Sequence, residues 1–302
     1  MFRGTFTALV TPFRNDSVDF DALTKLIESQ IAAGVTGIVA VGTTGEAPTL
    51  SHDERHAVIR KCVEVAKGRC QVWAGTGSYS TRDAVDASKQ AESLGVDGLL
   101  VVAPYYNKPS QEGLFQHFRT IAQATTRPII LYNIPGRCGV DIGVETVVRL
   151  AGSCRNIVSI KEASGSVDRV SELRGRMSDS FTVLSGDDSL TLPFMAVGAA
   201  GVVSVASNLL PADVVTLVNT HQQGDVNAAG TLHRRLFPLF KDLFIEPNPV
   251  PVKTALGWEG MMLPDVRLPL CPMSEANQQR LRRTLDAYRQ NRENFPAQQK
   301  VA

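Results

Sequence analysis

One pattern recurs three times along the chain and constrains its fold more than any other feature. It reads Ala33, Gly34, Val35, Thr36, Gly37, Ile38, Val39, then Leu94, Gly95, Val96, Asp97, Gly98, Leu99, Leu100, and finally Val197, Gly198, Ala199, Ala200, Gly201, Val202, Val203. In each copy a helical pattern ends, a glycine follows, and a second glycine leads into an apolar run. The first glycine suits a helix C-terminus, where a residue without Cβ adopts the left-handed conformation at little cost. The second lets the backbone pack closely as it enters a buried strand. Such helix-to-strand joints belong to a parallel α/β fold, in which short apolar strands alternate with helices.

Eight strands are expected, at residues 5–10, 37–41, 71–75, 98–102, 129–133, 157–161, 182–185 and 202–205. Eight βα units predict an α/β fold, a (β/α)8 TIM barrel occupying residues 1–224. Helix starts agree with this count: Ser51 and Glu54 have capping-box spacing, and Ser80 with Asp83 is a weaker version. After the eighth strand come helical patterns at 211–222, 226–243 and 275–289 and a proline-rich turn at 246–251, which is more helix than a minimal barrel needs and leaves residues 225–302 beyond it. This surplus is expected to form a C-terminal helical extension, an all-α second domain being the alternative. Order is expected throughout except at the last few residues.

With 302 residues, 43% of them hydrophobic, the chain can bury a large core. Its formal charge of +1 gives no electrostatic reason to expect nucleic acid or an anionic membrane as partner. No apolar stretch approaches the roughly 20 residues of a membrane span, and the start Met1, Phe2, Arg3 lacks signal-peptide character. A cytoplasmic protein acting on small molecules is the expectation. Cys62, Cys70, Cys138, Cys154 and Cys271 are odd in number and scattered, so they read as reduced, partly buried thiols rather than a disulfide framework or zinc site.

A lone amine, Lys161, ends the apolar run Ile157, Val158, Ser159, Ile160 where a buried strand meets a loop. An amine attacks a carbonyl only when neutral, and desolvation lowers a lysine pKa, so burial there would activate a Schiff-base nucleophile. Side chains alternate along a strand, which puts Lys161 on the face of Ser159 and turns Glu162 to the other. The structural alternative is a strand-end lysine reaching solvent or a carboxylate. In a barrel the active site lies at the C-terminal ends of the strands, which here carry Gly42, Thr43, Thr44, Gly45, Glu46 and Pro104, Tyr105, Tyr106, Asn107 and Tyr132 through Arg137. The loop after the second strand offers amides and two hydroxyls to a small carboxylate, or it is a polar turn. Tyr132 could move protons near Lys161, or it merely hydrogen-bonds a carbonyl. Arg137 could bind a second carboxylate in bidentate fashion, or it forms a surface ion pair.

Together, Gly42 to Glu46, Tyr105 to Asn107, Leu131 to Arg137 and Ile160 to Ala163 closely resemble the dihydrodipicolinate synthase (4-hydroxy-tetrahydrodipicolinate synthase) family. The resemblance continues through Ser185, Gly186, Asp187, Asp188 and Glu246, Pro247, Asn248, Pro249, covering nearly the whole chain. It implies a lyase of class I aldolase type, with no cofactor and no metal. Such an enzyme condenses pyruvate with aspartate 4-semialdehyde in the diaminopimelate branch of lysine biosynthesis. Under that resemblance Lys161 forms the imine, Thr44 holds the pyruvate carboxylate, Val203 offers its backbone carbonyl, and Gly186 joins the substrate-binding set. Tyr132 is the general acid/base, with a proton relay through Thr43 and through Tyr106 of a neighbouring subunit. Arg137 binds the carboxylate of the semialdehyde. The site therefore implies a homo-oligomer, a dimer or a tetramer built as a dimer of dimers.

Lysine-sensitive members of the family bind their end product at positions that fall on Ala47, His52, Arg55, Gly77, Tyr79, Asp83 and Tyr105. Arg55, Tyr79 and Asp83 depart from the sensitive pattern. A bulky cation at residue 55 opposes a cationic ligand, so weak or absent inhibition by lysine is expected. His52 and His56 have i, i+4 spacing but no third ligand, and read as a partly solvated helix face. Gly75, Thr76, Gly77 begin like a dinucleotide fingerprint but Ser80 breaks it, which argues against a nicotinamide cofactor. The rival readings are an N-acetylneuraminate lyase, a 2-keto-3-deoxy sugar acid aldolase, or a non-catalytic binding protein on the same fold.

Overall fold

The computed structural model describes residues 2–293. Eight strands close into a barrel: β1 (Gly4–Ala8), β2 (Gly37–Ala40), β3 (Gln71–Gly75), β4 (Gly98–Val102), β5 (Ile129–Asn133), β6 (Ile157–Glu162), β7 (Thr182–Ser185) and β8 (Gly201–Ser204). Each pairs in parallel with its sequence neighbours, and β1 with β8. All eight expected strands are present; they differ from expectation only at their ends. The first stops at Ala8 because Val10 donates its N–H to the Asn208 side chain, 3.1 Å away, instead of joining the sheet.

A helix follows each strand: α1 (Phe20–Ala32), α2 (His52–Ala66), α3 (Thr81–Ser93), α4 (Gln111–Gln123), α5 (Val144–Ser153), α6 (Val167–Arg176), α7 (Thr191–Ala196) and α8 (Pro211–Gln222). Three more come after the barrel: α9 (Val226–Asp242), α10 (Val250–Trp258) and α11 (Glu275–Glu293). α9 lies on α8 and α11, while α10 packs on α11 and on the turn Ala206–Asn208 that follows β8. Residues 294–302 of the expected C-terminal region, including the expected loss of order there, lie outside the described residues. Ser51 and Glu54 form the reciprocal capping box at α2. At α3 the side chain of Ser80 accepts from the Asp83 N–H.

The glycine joints act as their spacing requires. Gly34, Gly95 and Gly198 have φ of +79°, +84° and +102°. At Gly37 a Cβ would stand 2.8 Å from the Phe6 ring, and at Gly201 it would stand 2.0 Å from the Gly4 carbonyl oxygen. Phe6 stacks on Trp73 with ring centres 4.0 Å apart, and Phe2 meets Trp73 edge-on at 5.0 Å. These buried rings fill the barrel near the beginnings of the strands, each contributing on the order of 2 kcal/mol of apolar transfer. Polar and ionisable groups are left to the opposite end. All five cysteines are free; Cys62, Cys70, Cys138 and Cys154 are buried, whereas Cys271 is exposed in the irregular segment before α11, where no core covers it.

Candidate active site

Alternation along β6 sends Ser159 and Lys161 into the barrel and Ile160 and Glu162 outward. Ser159 Oγ donates to the Thr182 carbonyl at 2.9 Å. Glu162 is fully buried on the other face, where Arg169 of α6 donates Nε at 2.7 Å and Asn133 donates Nδ2 at 3.0 Å. Its charge is thereby engaged away from the Lys161 amine. Lys161 is only 5% exposed, and its Nζ lies 4.1 Å from the centre of the Tyr132 ring. Burial pushes the amine down to about 7, against the pull of the Asp188 carboxylate and with help from the Arg137 charge. A large neutral fraction near pH 7 is what a carbonyl-attacking amine needs.

Tyr132 is paired in register with Lys161 across β5 and β6. Burial pushes its phenol up to about 12, although Arg137 and a hydrogen bond with Thr43 act in the opposite direction. It is therefore a neutral phenol at ordinary pH, able to donate and to accept a proton. Thr44, beside Thr43 in the loop after β2, is 3% exposed, and its Oγ1 accepts from Asn248 Nδ2 at 3.0 Å. Because Oγ1 accepts there, its own proton is directed to another acceptor. Gly186 follows β7 and donates its N–H to the Glu162 carbonyl at 2.8 Å. A Cβ at Gly186 would stand 3.1 Å from Lys161 Cε and 2.7 Å from Ala163 Cβ, so the glycine preserves the space beside the amine. Val203 lies buried on β8 in the same interior cluster as Tyr132.

Arg137 stands exposed on the one-turn helix Pro135–Cys138 directly after β5. That loop is fastened by Asn133, whose Oδ1 accepts from the Ile142 N–H at 3.0 Å and whose Nδ2 donates to Asp141 at 2.6 Å. The guanidinium thus sits at the open end of the barrel, with its charge felt at both Tyr132 and Lys161. A buried amine, a buried phenol, a hydroxyl-lined cradle and an exposed cation can together form an imine, move a proton and hold two carboxylates.

Residues 1–288 match the model of the Dihydrodipicolinate synthetase family. The chain belongs to that family. It is 51% identical over 285 residues to the 4-hydroxy-tetrahydrodipicolinate synthase of Endomicrobium trichonymphae, covering 94% of this chain and 98% of that protein. The corresponding protein of Aquifex aeolicus is 50% identical, with 95% and 98% covered. Among solved structures, the 4-hydroxy-tetrahydrodipicolinate synthase of Methylacidiphilum fumariolicum SolV superposes with a TM-score of 0.96 at 53% identity, covering 97% of this chain and 98% of that one.

In this member of the dihydrodipicolinate synthetase family, Tyr106 is the expected site residue that stands apart. It is 91% exposed, with φ of +74°. Several of the positions expected to form an effector site touch one another. Arg55 donates Nη2 to the Ala47 carbonyl at 2.6 Å, Tyr79 and Tyr105 meet edge to face at 5.3 Å, and the charges of Arg55 and Asp83 are both felt at Tyr105. His52 is exposed at the start of α2, and a Cβ at Gly77 would stand 2.4 Å from the Val102 amide nitrogen. His56 Nδ1 lies 3.3 Å from Arg60 Nη2.

Sequence reasoning gave no role to three buried groups, two of which, Asp188 and Asn248, it named only within motifs. Asp188 is buried after β7, accepts from Ser204 Oγ and from the N–H groups of Val205 and Ala206, and is pushed up to about 6 by burial against those bonds. Asn248 reaches Thr44 across 204 residues of chain. Lys253 is a second fully buried lysine, with Nζ 2.6 Å from Glu46 Oε1 and 2.9 Å from the Thr11 carbonyl. A signal for it exists: one lysine among Val250, Pro251, Val252, Thr254, Ala255 and Leu256 must find a carboxylate if that helix is buried.

Proposed function

We propose that this protein is a 4-hydroxy-tetrahydrodipicolinate synthase that condenses pyruvate with aspartate 4-semialdehyde. One observation carries the reading within the family: the Lys161 amine, buried against the Tyr132 ring and lowered to about 7. In the proposed reaction Nζ attacks pyruvate C2 and water leaves, giving the imine. Loss of a proton from C3 gives the enamine, whose carbon attacks the aldehyde. The substrate's own amine then attacks C2 and expels Lys161.

Thr44 and the neighbouring amides receive the pyruvate carboxylate, and the Val203 carbonyl and Gly186 complete the pocket. Tyr132 donates and accepts the protons, with Thr43 as its hydrogen-bonded relay. Arg137 receives the carboxylate of the semialdehyde; its exposure at the barrel mouth suits the substrate that enters second. Tyr106 completes the relay of a second copy, which its projection into solvent supports and which makes the working unit a dimer or a tetramer. Of the described residues, those up to 224 form the catalytic barrel and 225–293 a helical region in this reading, and the cytoplasm is the compartment that suits a biosynthetic enzyme.

A substrate panel tests the proposal. Pyruvate with aspartate 4-semialdehyde is expected to give a 4-hydroxy-tetrahydropyridine dicarboxylate, which forms a dihydropyridine once it loses a further water, and borohydride with pyruvate is expected to leave a stable adduct on Lys161. Cleavage of sialic or 2-keto-3-deoxy sugar acids in place of that condensation would overturn the synthase reading. Full activity of Lys161→Ala without an adduct would overturn Schiff-base chemistry itself.

A further inference from the structure

The two buried lysines of this chain sit in opposite electrostatic settings. Lys161 lies against a phenol ring, whereas Lys253 is enclosed by Glu46, the Thr11 carbonyl and the face of Phe13, 4.2 Å away. Burial depresses Lys253 as well, but the adjoining Glu46 charge opposes that shift. The second Glu46 oxygen accepts from the Arg267 N–H at 3.1 Å. Glu46 itself holds a left-handed conformation, φ +54°, and its N–H closes a turn onto the Thr43 carbonyl at 3.1 Å. The Gly45 carbonyl between Thr44 and Glu46 accepts from Thr11 Oγ1 at 2.7 Å. Asn248, five residues before Lys253, donates to Thr44. One short segment leading into α10 thus grips the hydroxyl cradle at two points, and the β1 loop grips it at a third.

A buried ion pair adds little net stability, because the desolvation of both charges offsets their attraction. What such a pair supplies is a fixed geometry. We propose that Lys253 and Glu46 are positioning residues for pyruvate: their ion pair locks the Thr43 to Glu46 turn so that Thr44, held by Asn248, presents its proton to the incoming carboxylate. This rests on the reading that Thr44 receives that carboxylate. The helices beyond the barrel are then part of the catalytic apparatus, since they contribute the groups that hold the cradle.

Lys253→Met and Glu46→Gln test the pair in the full-length protein, with steady-state kinetics for each substrate and borohydride capture at Lys161 over a range of pyruvate concentrations. Loss of a charge-assisted contact leads us to expect a rise of about tenfold or more in the pyruvate KM and in the half-saturating concentration for capture. kcat should fall by less than the pyruvate KM rises, since Thr43 in the same turn relays protons for Tyr132, and the semialdehyde KM should stay nearly constant, because Arg137 stands on a different loop. Glu46→Gln retains an acceptor for Lys253 and should be the milder of the two, and it carries the test if Lys253→Met does not fold. Since the pair acts through Thr44, Lys253→Met introduced into Thr44→Val should raise the pyruvate KM by less than about twofold. An unchanged pyruvate KM in folded variants, or full additivity with Thr44→Val, would overturn the proposal. If Thr44→Val by itself leaves the pyruvate KM unchanged, the Thr44 reading fails instead.

Discussion

The rate at which the protein captures pyruvate should follow the protonation of Lys161. Burial moves the amine from its ordinary 10.5 to about 7. At pH 7 that raises the neutral fraction from about 3 in 10,000 to about one half, a gain of roughly a thousandfold in nucleophile. An amine must be neutral to attack, so the capture rate should rise about tenfold per pH unit below pH 7 and level off above it. The assay is single-turnover borohydride reduction with subsaturating pyruvate between pH 5.5 and 9.5, read by the mass of the intact chain. Tyr132, held up to about 12, stays protonated across this window and should add no second inflection. A midpoint at or above pH 9 would refute the reasoning, because it would mean that water or a carboxylate reaches the amine in solution and cancels the effect of burial.

The same burial has a cost in stability. Between pH 7 and 10.5 the unfolded chain binds the proton that folded Lys161 releases, so stability rises with pH across that window, and below pH 7 the penalty is present in full. Lys161→Met should therefore stabilise the protein at pH 6 by a few kcal/mol, with about 5 as an upper bound from the shift, and the gain should fade toward pH 10.5 in urea unfolding at fixed protein concentration. Tyr106→Phe should retain capture of pyruvate while lowering kcat by about tenfold or more, as loss of a proton relay implies, and mixing it with Lys161→Ala should restore some activity if the tyrosine acts in a second copy. Lysine should inhibit weakly or not at all, since Arg55 brings a cation to the Ala47 carbonyl; strong inhibition in an activity titration would contradict this.

The strands and their faces were legible because periodicity is a local property. Glycine joints, alternating side chains on β6 and the capping box at α2 all concern residues within a few positions of one another, and each was found where the sequence placed it. Strand ends were less legible: β1 stops at Ala8 because Asn208, distant in sequence, takes the Val10 N–H. The candidate site residues could be named from strand-end motifs, yet their environment could not. Nothing near Lys161 in sequence states that Glu162 is occupied by Arg169, that Tyr132 supplies the ring above the amine, or that Gly186 keeps its space. Cys271 shows the reverse error, since a general tendency of cysteines to be buried does not fix any one of them.

By itself the sequence determined a parallel barrel, the inward face of β6 and the chemical types at the ends of the strands, all consequences of chain stereochemistry and hydrophobic pattern. Tertiary structure decided which of the two buried lysines is held in an ion pair. Glu46 lies 207 residues from Lys253, and only closure of the barrel with α10 against it puts that carboxylate on one amine and a phenol ring beside the other. A lysine pKa depends on the water removed and the charges brought near, and folding sets both.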